Sequence, residues 1–181
     1  AVTRVVAGHG AAAVAAYGVG SRVELLALAV VMALASTLTP FVAQNWGAGH
    51  MDRVQKAVRY ATLFAVGWGV VFFALAAALS GPIARVFNDS QAVQTVIIQF
   101  LLIVPISYAG QGVLLVSTAT LNALNKPLNA TALMALRLFV LYIPLAFIGM
   151  RVADVNGIFV AAAIANFGAG IAGALWLRRV L

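Results

Sequence analysis

Leu25 to Met51 reads LLALAVVMALASTLTPFVAQNWGAGHM and contains no Asp, Glu, Lys or Arg. As an α-helix rising ~1.5 Å per residue it would extend about 40 Å, more than the ~30 Å hydrocarbon core of a bilayer. The same text recurs down the chain. Tyr60 to Ala84, Ser90 to Asn125 and Val155 to Leu177 carry no charged side chain, and Pro127 to Met150 is interrupted only by Arg137. Across the 181 residues, 64% are hydrophobic, 8% are charged and the mean hydropathy is +1.06. Soluble domains hold about 45–50% apolar and about 25% charged residues, so a water-soluble fold is excluded. The expected fold class is an all-α membrane protein. Residues 1–181 form one transmembrane unit, with complete helices at approximately 12–45, 57–82, 91–124, 128–150 and 156–178 and the end of a sixth at 1–9. With Ala1 in place of an initiator Met, the text reads as a piece of a longer polypeptide that starts inside a hydrophobic segment.

The formal net charge is +7, from eleven Lys and Arg against four Asp and Glu. Basic residues dispersed along lipid-embedded text make no phosphate-facing patch, so nucleic acid is not an expected partner. They report orientation instead. Arg53, Lys56 and Arg59, then Lys126, then Arg178 and Arg179 fall in alternate loops, whereas the intervening loops hold Arg85 and Arg151 with Asp89 and Asp154 nearby. The basic loops are therefore expected on the cytoplasmic side. There is no cysteine, which removes disulfides and thiolate chemistry. His9 and His50 sit in separate turns with no further ligand at metal spacing, so no metal site is expected. No nucleophile and base pair, phosphate loop or paired carboxylates is visible, and no enzyme activity is expected.

Helices in lipid associate where small residues let backbones approach. Ala162, Asn166, Gly170 and Ala174 recur at every fourth position, flanked by Ala165, Ala169 and Gly173, which predicts a buried face; Gly67 and Gly69 suggest another. Pro40, Pro105 and Pro144 lie inside predicted spans, where each removes a backbone donor and is expected to kink its helix.

Polar side chains inside these spans must avoid lipid. Ser107, Gln111, Thr118 and Asn122 fall within about 60° of one another at ~100° per residue, a stripe that predicts either a cavity wall or interhelical packing bonds. Tyr17, Ser21, Glu24 and Thr39 share a face of the first complete helix, with Arg22 elsewhere. Glu24 is the one acid within any span, ~18 Å along its helix; Arg137 lies ~15 Å into its own from the opposite side, at 1.5 Å per residue. A buried Glu24–Arg137 pair follows as a hypothesis, with Arg22 as the alternative partner and snorkelling of Arg137 as the bland outcome. Tyr17, Tyr108 and Tyr142 offer ring faces for a flat cation, each interaction being worth ~0.5–2 kcal/mol.

The run AAYGVGSRVE at 15–24, then TPFVAQNWGAG at 39–49 and the basic stretch Arg53 to Arg59, resembles the MATE family of multidrug and toxic compound extrusion transporters. LNALNKP at 121–127 and the stretch from Arg137 to Pro144 fit the same family. The resemblance implies the C-terminal lobe of a twelve-helix bacterial inner-membrane antiporter. Such a protein exports cationic amphipathic drugs or dyes in exchange for H⁺ or Na⁺ by alternating access, conferring drug resistance. It further implies contact with membrane lipid and with an N-terminal lobe of the same polypeptide. No cofactor beyond the coupling ion is implied. On the spacing arguments above, and not from the resemblance, substrate contacts are expected from Tyr17, Ser107, Gln111, Thr118 and Asn122, and Glu24 and Arg137 are expected to be ion-coupling or buried charges; Glu24 does not match the family's coupling acids. Members that bind Na⁺ in this lobe use carboxylates on the seventh and tenth helices; the stretch matching the tenth, Ser90 to Asn125, holds none. The competing expectations are a flippase for lipid-linked precursors, which would need a more cationic cavity, and a non-transporting assembly subunit.

Overall fold

The computed structural model describes residues 11–181, with side chains from Tyr17 onward, and every regular element among them is a helix. The end of a sixth helix expected at 1–9, and His9 with it, lie outside the described residues. We number the elements α1 (Ala11–Gly47), α2 (Met51–Ala78), α3 (Ser80–Phe87), α4 (Gln91–Ile103), α5 (Tyr108–Ala123), α6 (Pro127–Ala135) and α7 (Ile143–Val180). A 3₁₀ turn, Pro105–Ser107, joins α4 to α5, and a π-helical segment, Leu136–Tyr142, joins α6 to α7.

Among the described residues, four helical stretches are long and apolar enough to cross a membrane: 17–47, 51–78, 91–123 and 127–180. The fourth holds two crossings. A straight helix would separate Arg137 from Asn166 by about 43 Å at 1.5 Å per residue, yet their side chains are hydrogen-bonded at 2.7 Å. The reversal occurs inside α7 at Ala153 and Asp154, whose backbone leaves the helical region with Asp154 at φ 54°. Gly149 and Gly157 then meet backbone to backbone across the bend, so closely that a Cβ on either would strike the other's carbonyl. The result is a bundle of five crossings among the described residues.

Two turns in the sequence have a definite mechanical explanation. After α1, Gly49 takes φ 75°; its N–H donates to the Trp46 carbonyl at 3.0 Å and that of His50 to Asn45 at 2.8 Å. This is a Schellman cap, in which the left-handed residue lets the last carbonyls find donors. After α5, Asn125 takes φ 59° and the same bond pair forms, Asn125 to Asn122 at 3.1 Å and Lys126 to Leu121 at 2.9 Å. Pro127 then opens α6, where a missing N–H costs nothing.

The prolines act unequally. Pro40 sits within an unbroken α1. Pro105 ends the α4 ladder in the 3₁₀ turn, and Pro144 follows the π segment. A proline collides with the carbonyl four residues back, Val140 here, and a widened π ladder is one way to relieve that collision.

Helix α5 is the axis of the bundle, buried along most of its length between α1, α2 and α7. Glycines set the spacing. Gly69 lies on the backbone of Ala109, Gly110 on that of Asn166 and Gly170, Gly112 on Ala65, and Gly173 on Ser117. The small-residue face of the last crossing is thus buried, as its spacing predicted, whereas Gly67 is exposed and meets nothing. The bundle has two unlike ends. Gln55 Nε2 donates to the Leu181 carbonyl at 2.6 Å, and Val54, Leu121, Leu124 and Leu177 share one core. That brings Arg53, Lys56, Arg59, Lys126, Arg178 and Arg179 to one end. Val19, Ala84, Val93 and Val155 pack together at the other.

Candidate functional site

In the half of the bundle away from the basic end, five polar side chains from five elements converge. Arg137 Nε, on the π segment, donates to Asn166 Oδ1 at 2.7 Å. Asn166 Nδ2, on α7, donates both to Ser107 Oγ at 2.9 Å and to Gln111 Oε1 at 3.0 Å. Gln111 Nε2, on α5, donates to Glu24 Oε1 on α1 at 3.1 Å. Ser107 completes its own bonding by donating to the Val104 carbonyl at 2.7 Å, which also accepts the Ser107 backbone N–H at 3.0 Å in the 3₁₀ turn. Asn166 is 1% exposed and Ser107 is fully buried. Unpaired polar groups at such depth would each cost about 1–3 kcal/mol, a cost these bonds spare Asn166 and Ser107.

Glu24 and Arg137 are brought to one cavity without a direct ion pair. The expected contact is replaced by a chain of two amides, oriented so that every N–H in it points from guanidinium toward carboxylate. Sequence spacing could give the approximate depth of both charges, but which amides stand between them depends on how α5 and α7 pack. Arg22, the alternative partner, is exposed and does not reach the cavity.

The cavity measures about 100 Å³ and is walled by Tyr17, Glu24, Arg137, Tyr142 and Asn166 on its polar side and by Phe100, Val104, Ile158, Phe159 and Ala162 on its apolar side. Pockets for drug-sized ligands measure roughly 300–1,000 Å³. In this conformation the space is too small for such a ligand and is of the size of a few waters. Phe100 reaches it because Gly20 leaves room, the ring lying where a Cβ on Gly20 would be; Phe100 stacks edge to face on Phe159 at 5.1 Å. Tyr17 and Tyr142 stand together on the polar wall.

Of the residues expected at a substrate wall, the structure joins Tyr17, Ser107 and Gln111 to this cluster. Thr118 is buried but donates to Leu115 of its own helix at 3.0 Å, and Asn122 is exposed near the basic end. Tyr108 is absent from the cavity: its ring packs on Phe72 at 5.8 Å between α5 and α2, and its hydroxyl is buried without a partner. The spacing placed Asn166 on a packing face, and the structure shows it to be the hub of the network as well. Its one signal in the sequence is an amide amid Ala and Gly at mid-membrane depth.

Comparison with known proteins identifies the architecture. The MatE family model matches residues 1–148, and the chain belongs to this family of membrane transporters. An FAD transporter of Shewanella oneidensis is 34% identical over 160 residues, which are 88% of this chain and 35% of that protein. The crystal structure of a mutant of the Vibrio cholerae MATE transporter VcmN matches with a TM-score of 0.95 at 32% identity, over 99% of this chain and 41% of that one. An outward-facing multidrug resistance MATE transporter matches at 0.90 and 19% identity, over 98% of this chain and 40% of that one, a likeness of fold. The chain thus spans about 35–41% of the length of these relatives, which is one lobe of such a transporter.

Proposed function

We propose that this lobe serves a secondary active exporter, which moves ionic amphipathic solutes out of the cell in exchange for H⁺ or Na⁺ by alternating access. The observation that carries the reading is the Glu24–Gln111–Asn166–Arg137 chain, an acid and a base held inside a membrane bundle at the edge of a small polar-walled space. Intramembrane charges are costly and are retained where ions or protons move. Glu24 takes the coupling ion. Arg137 is its resident counter-charge, and Tyr17 and Tyr142 supply adaptable aromatic contact for a cationic solute. The interruptions at Pro105 and the π segment are the elements that change between outward and inward states. A coupling ion drives transport only by preferring one of those states. The end bearing Arg53, Lys56, Arg59, Lys126, Arg178 and Arg179 is cytoplasmic in this reading, and the membrane is the bacterial inner membrane.

The name of the Shewanella relative favours a second cargo, a flavin dinucleotide. One experiment addresses both cargoes. Full-length protein in vesicles is given an outward-directed cargo assay, with a cationic dye and with FAD in parallel, under imposed H⁺ or Na⁺ gradients. Gradient-dependent export of either identifies cargo and driving ion together. Export that ignores both gradients would overturn antiport.

A further inference from the structure

We infer that Asn166 and Arg137 determine the ion specificity of Glu24, keeping its carboxylate open to a proton and closed to Na⁺. The inference rests on the reading of Glu24 as the coupling acid and follows from counting donors and acceptors around it. A hard metal cation is held by about six oxygens, and a membrane site must replace the ion's hydration shell with them. Here both amide oxygens are already engaged. Asn166 Oδ1 accepts from Arg137 Nε at 2.7 Å, and Gln111 Oε1 accepts from Asn166 Nδ2 at 3.0 Å. Both amide NH₂ groups are aimed along the chain toward the carboxylate, so the side chains nearest Glu24 present hydrogens where a metal needs lone pairs. Among the side chains lining the cavity, the oxygens left are those of Glu24 and the phenols of Tyr17 and Tyr142, so a cation would have to complete its shell from backbone or water.

The charge count agrees. Arg137 places a permanent positive charge on the wall of the same 100 Å³ cavity; a guanidinium cannot shed its proton to make way for a metal ion. A proton needs one lone pair on Glu24, no coordination shell and no displacement of the amides. Asn166 is the pivot because it is an amide. An aspartate of the same shape would offer a second oxygen, lose both donations and add a negative charge, leaving Gln111 free to turn its own oxygen inward.

The test is binding of radioactive sodium to the purified full-length protein, comparing the parent with Glu24→Gln, Asn166→Asp, Arg137→Gln and the Asn166→Asp/Glu24→Gln double variant. The expected result is no Glu24-dependent sodium binding in the parent. Asn166→Asp gains sodium affinity at least tenfold, Glu24→Gln abolishes that gain, and Arg137→Gln gains a smaller amount. Should Asn166→Asp not yield folded protein, Arg137→Gln decides alone. Sodium binding in the parent that Glu24→Gln removes would overturn the inference, as would folded variants that gain none. Proton-driven transport by Glu24→Gln is measured beside it: transport equal to the parent's would sink the coupling role of Glu24, whereas the sodium data judge specificity.

Discussion

The two halves of this bundle solve the same burial problem in opposite ways. Toward the basic end, Leu38, Val42, Val54, Leu121, Leu133 and Leu177 fill a dry core between helices closed by Schellman caps. Toward the other end ladders are interrupted at Pro105–Ser107, at Leu136–Tyr142 and at Ala153–Asp154, and the polar cluster beside these interruptions holds Glu24, Arg137 and three neutral polar partners. One set of helices thus packs a dry core at one end and a polar cluster at the other. An unbroken α-helix consumes its own backbone bonds and offers side chains alone. The polar cluster gathers where the ladder opens, at Ser107 in the 3₁₀ turn and at Arg137 on the π segment.

Substitutions that break this contrast should fall in a definite order. Gly110→Val places a branched side chain against the backbone of Asn166 and Phe167, which cannot move aside; overpacking of this kind costs about 1–3 kcal/mol or more. Because α5 is the axis of both halves, the expected outcome is loss of monodisperse full-length protein on size-exclusion chromatography. Glu24→Gln should leave folding intact and reduce gradient-driven export at least tenfold, read as dye efflux from vesicles at matched protein levels. Leu133→Ala removes a fully buried side chain from the dry half. Such truncations cost ~2–5 kcal/mol in water, and about 2 kcal/mol is expected where lipid takes up the transfer part. Thermal unfolding in detergent should report that loss, with ion specificity unchanged. Gly49→Ala forces a Cβ into φ 75° with no steric neighbour nearby, so the cost is conformational, about 1 kcal/mol, and should appear as a small drop in melting temperature. Asn122→Leu is exposed and outside the network; it should change stability by less than ~0.5 kcal/mol. A defect in export from Asn122→Leu with stability unchanged would extend the substrate wall beyond the cavity.

The turn motifs were legible because they are local. Gly49 and Asn125 each close a helix by bonds within six residues, so the text that carries the family resemblance also carries its own geometry. The buried face of Ala165, Asn166, Ala169, Gly170 and Gly173 was legible because helical periodicity turns spacing into direction. Proline positions were less informative: Pro40 leaves its helix whole and Pro144 acts through a π segment that no residue pattern announces. Tyr108 shows the same limit. It lies only one residue from Ser107 in sequence, but that step turns it toward Phe72 and away from the cavity.

Sequence alone determined that this protein lives in lipid, how its crossings are punctuated, which loops carry the basic residues and which polar residues require shelter. These follow from one-dimensional quantities: hydropathy, span length and residue spacing along a known helix. Tertiary structure decided that Glu24 and Arg137 are joined through Gln111 and Asn166, because Glu24 and Asn166 lie 142 positions apart and meet only through the packing of α1, α5 and α7. A hydrogen bond depends on position to within a few tenths of an ångström. That precision comes from glycine-spaced helix contacts, which periodicity can suggest and only the assembled bundle fixes.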